Sequence, residues 1–169
     1  MAGILTFVCL GLSIALLLCA ALHDAATRTI PNGIPAGLVA IGLIQRFYAG
    51  EVVTSLVAAG VLIVLLGLLW LRGFVGGGDA KLIPAASLLL PTLNVPGYVL
   101  AVAIAGGILA VLYWALSNVV PRPHAGQRTG FLARLAKAEM WRLHRRGPLP
   151  YAVAISAGAL VMIGKAFYG

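Results

Sequence analysis

Hydrophobic positions come in long blocks along this chain rather than in alternation. Apolar stretches at about 3–22, 52–71 and 98–118 each supply the ~20 residues that a helix needs to cross a bilayer. Residues 150–168 form another, with Lys165 near the end able to reach the interface. Two shorter apolar segments, 33–48 and 80–93, lie between these, and the second holds Pro84 and stops at Pro91. The pattern predicts an all-α integral membrane protein with six transmembrane helices and a single polytopic domain over 1–169.

The breaks have local causes. In "TIPNGIP" (29–35), Asn32 is suited to cap the second helix and Pro35 to sit in its first turn. "LRGFVGGGDAK" (71–81) carries four glycines and is expected to form a loop or strand-like piece leading into the fourth helix. Such unwound backbone at membrane depth needs a covering of protein or a wet cavity.

Composition agrees with this reading. The chain is 62% hydrophobic and 9% charged, whereas a soluble domain carries roughly a quarter charged residues. The net charge of +8 does not indicate nucleic-acid binding, because the basic residues cluster by loop. Loops 23–32, 72–81 and 119–149 hold Arg28, Arg72, Lys81, Arg122, Arg128, Arg134, Lys137, Arg142, Arg145 and Arg146, and the opposite side holds only Arg46 and Lys165. Positive charge marks the cytoplasmic side, so both termini are expected outside. Within the longest loop, residues 129–147 place Leu132, Leu135, Ala136, Met140 and Leu143 on one helical face. That segment is expected to lie as an amphipathic helix on an anionic leaflet, with docking of a partner as the other reading.

Cys9 and Cys19 are ten residues apart, about 15 Å along a helix, too far to pair, and are expected to be buried small apolar residues. The N-terminus has no basic region before its apolar run, so a retained helix is expected rather than a cleaved signal peptide.

Candidate chemistry lies in the four acidic residues: Asp24, Glu51, Asp79 and Glu139. The topology puts Asp24 and Asp79 at the same membrane face. Two carboxylates that meet in a low-dielectric site share a proton, so one takes a proton from water while the other donates to a carbonyl. Gly76, Gly77 and Gly78 leave no side chain beside Asp79, so another backbone is free to approach. Lys81 would point away from Asp79, towards lipid phosphate or the loop. Other readings stay open on the residues alone. Either aspartate suits a helix cap, His23 suits an interfacial position, and an Asp beside unwound carbonyls suits cation transport.

Two motifs together carry a resemblance. "DAATRTIPN" (24–32) and "GGGDAKL" (76–82) are similar to those of the type IV prepilin peptidases, intramembrane aspartic proteases of the GxGD class. The resemblance implies that Asp24 and Asp79 are the catalytic pair, supported by Gly76, Gly77, Gly78, Lys81, Pro31 and Asn32. It implies cleavage of the basic leader of prepilins and pseudopilins at the cytoplasmic face of a bacterial inner membrane, with no metal, cofactor or covalent intermediate. Larger members carry an extra domain with paired CxxC zinc motifs and N-methyltransferase activity. No CxxC occurs here, so the chain resembles the compact, peptidase-only form of Flp-type, tight-adherence pilus systems, with no S-adenosylmethionine expected. The rivals are a small transporter and a non-catalytic pilus-assembly subunit using the two aspartates for protons or cations. Oligomeric state is not set by the sequence, although "AGGILA" (105–110) permits close helix packing.

Overall fold

The computed structural model describes residues 2–119 and 149–168. The amphipathic segment expected at 129–147 lies outside the described residues. The helices are α1 (Ala2–Thr27), α2 (Gly33–Ala49), α3 (Val52–Leu71), α4 (Gly77–Ser87), α5 (Val95–Val119) and α6 (Tyr151–Tyr168), with a 3-10 turn at Thr92–Asn94. Spans Ile4–Thr27, Val52–Leu71 and Thr92–Asn118 are long and apolar enough to cross a membrane, and α2 and α6 are shorter apolar helices. Large apolar side chains such as Phe7, Val64 and Ile108 face outward from α1, α3 and α5, as expected of surfaces solvated by lipid.

The fourth segment differs from the expectation of a span over 80–93. α4 has 11 residues, a rise of ~16 Å, about half of a ~30 Å hydrocarbon core. It begins inside the glycine run, continues through Pro84 and stops at Ser87. The Ser87 hydroxyl donates to the Pro84 carbonyl at 2.7 Å, which occupies an acceptor near the helix end. Leu82 to Ser87 are all buried, as are Leu88, Leu89 and Leu90 after the helix. α4 is thus a short central element packed on α2, α3 and α6, while α6 also packs on α1 and α5. Protein covers the non-helical backbone at Leu88, Leu89 and Leu90, whereas Arg72, Gly73, Phe74 and Gly76 before α4 are exposed.

Close packing at the centre depends on a missing side chain. A Cβ at Gly42 of α2 would lie 2.6 Å from Leu88 Cβ and 2.9 Å from its carbonyl carbon. α2 ends in a Schellman turn: Gly50 takes φ 71°, and the N–H groups of Gly50 and Glu51 donate to the carbonyls of Phe47 (3.2 Å) and Arg46 (3.0 Å). The two cysteines part company. Cys9 is buried as expected, but Cys19 is exposed, because it falls on the outer surface of α1 rather than on its packed face.

Candidate functional site

Asp24 stands one turn before the end of α1 and is buried, 6% exposed. Its Oδ2 accepts a hydrogen bond from the backbone N–H of Ala152 at 3.0 Å. Ala152 is the second residue of α6, so the carboxylate occupies one of the donors that a helix start leaves unpaired. The positive end of the helix dipole favours negative charge there. Two contacts hold α6 in that register. Tyr151 sits over Gly106 of α5, where a Cβ would come within 2.5 Å of the phenol oxygen, and Ser156 Oγ donates to the Leu17 carbonyl at 2.8 Å. Gly106 gives the small-residue stretch at 105–110 a specific use.

The end of α1 is fixed by a left-handed residue. Arg28 has φ 58°, and its N–H donates to the Asp24 carbonyl at 2.8 Å, closing the αL type of helix end. A non-glycine residue there costs ~1–2 kcal/mol. Contacts oppose that cost: Arg28 Nη2 donates to the Tyr113 hydroxyl of α5 at 3.3 Å, with the guanidinium 5.9 Å from the ring centre. His23 donates from Nδ1 to the Thr29 carbonyl at 2.8 Å, and Thr27 Oγ1 donates to the His23 carbonyl at 2.8 Å. His23 therefore ties the linker to α1.

Asp79 is half-buried and is the third residue of α4, after Gly76 at the N-cap. Its carboxyl is pushed up from 3.8 to about 6, first by burial and second by the negative charge of Asp24. The two aspartates thus lie within electrostatic reach at one end of the bundle.

The glycines are more occupied than the sequence suggests. A Cβ at Gly77 would meet the Trp70 indole nitrogen at 3.1 Å, one at Gly78 would meet the Ile30 side chain at 3.1 Å, and one at Gly76 would lie 3.0 Å from Asp79 Oδ2. The space beside Gly77 and Gly78 is therefore taken by Trp70 and Ile30, and the short side chains let α3 and the α1–α2 linker close on the start of α4. Lys81 reaches the loop, donating from Nζ to Asn32 Oδ1 at 3.2 Å. Asn32 occupies the N-cap position of α2 but makes no side-chain cap, so its side chain serves that bridge instead. Pro31 contributes its carbonyl, which accepts from the Ile34 N–H at 3.1 Å, and Pro35 falls in the first turn as expected.

Ile30, Trp70, Tyr113, Tyr151 and Ala152 join the site without having been singled out by sequence. Each is ordinary in its own segment, and only the fold brings Ala152 to Asp24, Ile30 and Trp70 to the glycines before Asp79, Tyr113 to Arg28 and Tyr151 to Gly106. Among the described residues no three His, Cys, Asp or Glu side chains gather to hold a metal. The surroundings of the two carboxylates are unequal: one meets a helix N-terminus and the other keeps its proton to higher pH. Such a difference separates a base from an acid.

A model of the type IV leader peptidase family matches residues 11–111, more than half of the chain. The matched stretch holds both aspartates and both motifs but ends before α6. No curated protein and no solved structure matches. With these aspartates held among apolar helices, the chain belongs to the type IV leader peptidase family and is a membrane-embedded peptidase.

Proposed function

We propose that this chain is an intramembrane aspartic endopeptidase that removes the basic leader of Flp-like prepilins and pseudopilins, with Asp24 and Asp79 as its catalytic pair. The observation that carries this reading is the unequal pair itself: Asp24 bonded to the Ala152 N–H, and Asp79 raised to about 6 by burial and by Asp24. Asp24, as the ionised partner, takes a proton from a water whose oxygen bonds to the scissile carbonyl carbon. Asp79 gives its proton to the carbonyl oxygen. Collapse of the tetrahedral diol breaks the C–N bond, the leaving amine takes the proton held by Asp24, and a diol hydroxyl proton returns to Asp79. No covalent intermediate forms.

The basic residues Arg28 and Arg72 at the ends of α1 and α3, and Lys81 in the second turn of α4, lie on the same side as the aspartates, which supports a cytoplasmic active site in a bacterial inner membrane. The prepilin leader is itself basic, so recognition rests on the substrate helix and the residues around the cut. The missing CxxC pairs support the compact form, in which leader cleavage is not followed by methyl transfer from the same chain.

Cleavage of a co-expressed candidate prepilin tests the reading, with wild type, Asp24→Asn and Asp79→Asn at equal membrane abundance. The amide of Asp24→Asn keeps an oxygen to accept from Ala152, so the variant removes the charge while retaining that contact. Each substitution is expected to lower cleavage by ~100-fold or more. Cleavage persisting in either variant would overturn the paired mechanism and return the transporter and assembly-subunit readings.

A further inference from the structure

The first turn of α4 has little of its own to hold it. It opens on Gly77 and Gly78, its N-cap Gly76 makes no side-chain cap, and Pro84 lies inside the helix. These residues disfavour helix, so the place of Asp79 is set by what packs on that turn. The linker between α1 and α2, residues 28–32, supplies two such contacts. Ile30 fills the space beside Gly78, where a Cβ would stand 3.1 Å from Ile30 Cδ1. Asn32 Oδ1 accepts from Lys81 Nζ at 3.2 Å.

The linker is itself non-helical, so it needs fixing in turn. Among the described residues, the main chain of Thr29 and Ile30 makes one hydrogen bond, in which the Thr29 carbonyl accepts from His23 Nδ1 at 2.8 Å. A carbonyl only accepts, so Nδ1 carries a proton whether the ring is neutral or charged. Two threonines complete the arrangement. Thr27 Oγ1 lies 2.9 Å from both Nδ1 and Thr29 Oγ1, and donates to the His23 carbonyl at 2.8 Å. Neither ring nitrogen bonds to a carboxylate among the described residues. The ring is thus placed to hold the linker, not to pass protons.

We infer that His23 is a positioning residue for the peptidase reaction: its Nδ1–H pins the Thr29 carbonyl, and through Ile30 and Asn32 the pinned linker sets the place of Asp79. The inference rests on the reading of Asp79 as catalytic. It gives the histidine beside Asp24 a task directed at the other aspartate, across the fold.

Leader cleavage of a candidate prepilin by the purified full chain tests this, with kcat and KM followed across pH. His23→Leu removes the donor and is expected to lower kcat about tenfold with KM unchanged, because Asp79 is misplaced while substrate binding is kept. Water then reaches the Asp79 carboxyl more freely, so the high-pH limb of kcat/KM moves below its wild-type position at about 6. His23→Asn puts an amide N–H where Nδ1–H stands, and is expected to recover most of the lost kcat and return the limb. His23→Gln carries its amide one bond farther out and is expected to behave as His23→Leu, which preserves the comparison if the leucine variant does not accumulate. A residue that only stabilised the fold would change melting and leave kcat and the limb in place.

Three results overturn the positioning role: kcat and limb unchanged in His23→Leu, His23→Asn no better than His23→Gln, or a limb present in wild type and absent from His23→Asn, which would mark the ring as a proton carrier. Asp79→Asn, assayed alongside, separates the two readings. An inactive Asp79→Asn beside unaffected His23 variants sinks the positioning role alone. An active Asp79→Asn sinks the paired mechanism and the role of His23 with it.

Discussion

The two ends of the bundle treat buried charge in opposite ways. At one end Arg46 meets Glu51 at 2.9 Å, and a Schellman turn brings the partners back towards each other. At the other end burial first, and the like charge of Asp24 second, raise the proton affinity of Asp79. A compensated pair favours the fold, whereas like charges held close oppose it and persist where chemistry uses them. Neutralising substitutions at the two ends should therefore have opposite signatures. Asp79→Asn, with the largest expected effect, loses cleavage by ~100-fold or more yet melts no lower than wild type.

The pH dependence sharpens the same contrast. Asp79 has a value of about 6 in the folded protein against an ordinary 3.8, so the folded state binds this proton more tightly than the unfolded state. The resulting stability is full below 3.8 and is lost as pH rises through about 6. Melting of detergent-solubilised wild type should fall across that window relative to Asp79→Asn, which lacks the group. The same proton sets the high-pH limb of kcat/KM for the free enzyme. A constant difference between the two melting curves from acid to neutral pH would show that the Asp79 carboxyl is not raised in the folded protein.

At the opposite end, Arg46→Met should leave cleavage intact and lower stability. The Glu51 side chain is 41% exposed, so the loss is discounted from buried-pair values to about 1–2 kcal/mol. Adding Glu51→Gln should recover most of it, measured by thermal melting of the single and double variants. If Arg46→Met abolished cleavage at an unchanged melting temperature, the two ends would be coupled and the contrast would fail.

The glycine run separates two uses of the same space. If Gly78 is small so that Ile30 can pack, Gly78→Ala costs about tenfold in cleavage by shifting Asp79. Ile30→Ala in the same chain then restores activity, because the added Cβ meets that side chain at 3.1 Å. If substrate backbone must enter there, the double variant stays impaired. The packing visible in the structure favours restoration.

The helices and the aspartate pair are legible in sequence for a physical reason. Apolar blocks announce helices in lipid, and an acidic residue among them is costly enough to be conspicuous, as with Asp24 and Asp79. The fourth helix departs from its sequence pattern because Gly77, Gly78 and Pro84 disfavour helix locally, whereas burial against α2, α3 and α6 overrides that preference. The Ala152 N–H is illegible because a backbone donor has no residue-type signature, and its alignment depends on Tyr151 over Gly106. Asn32 has cap chemistry by type, but Lys81 claims its side chain from across the fold.

The smallest expected effects come from two of the three described helix ends that use left-handed backbone, the third being Gly73 after α3. Gly50 closes α2 at φ 71° and Arg28 closes α1 at φ 58°, so the geometry built from glycine at one end is built from arginine at the other. Gly50→Ala has open space for its Cβ and so pays only for conformation, about 1 kcal/mol of stability. Arg28→Gly relieves a similar strain but gives up the contacts with Tyr113, so its net change in melting should be smaller than that of Gly50→Ala. If Arg28→Gly were the more damaging of the two, the guanidinium would contribute more to holding α1 against α5 than its left-handed backbone costs. The end of α1 would then be secured by side chains where the end of α2 is secured by its turn.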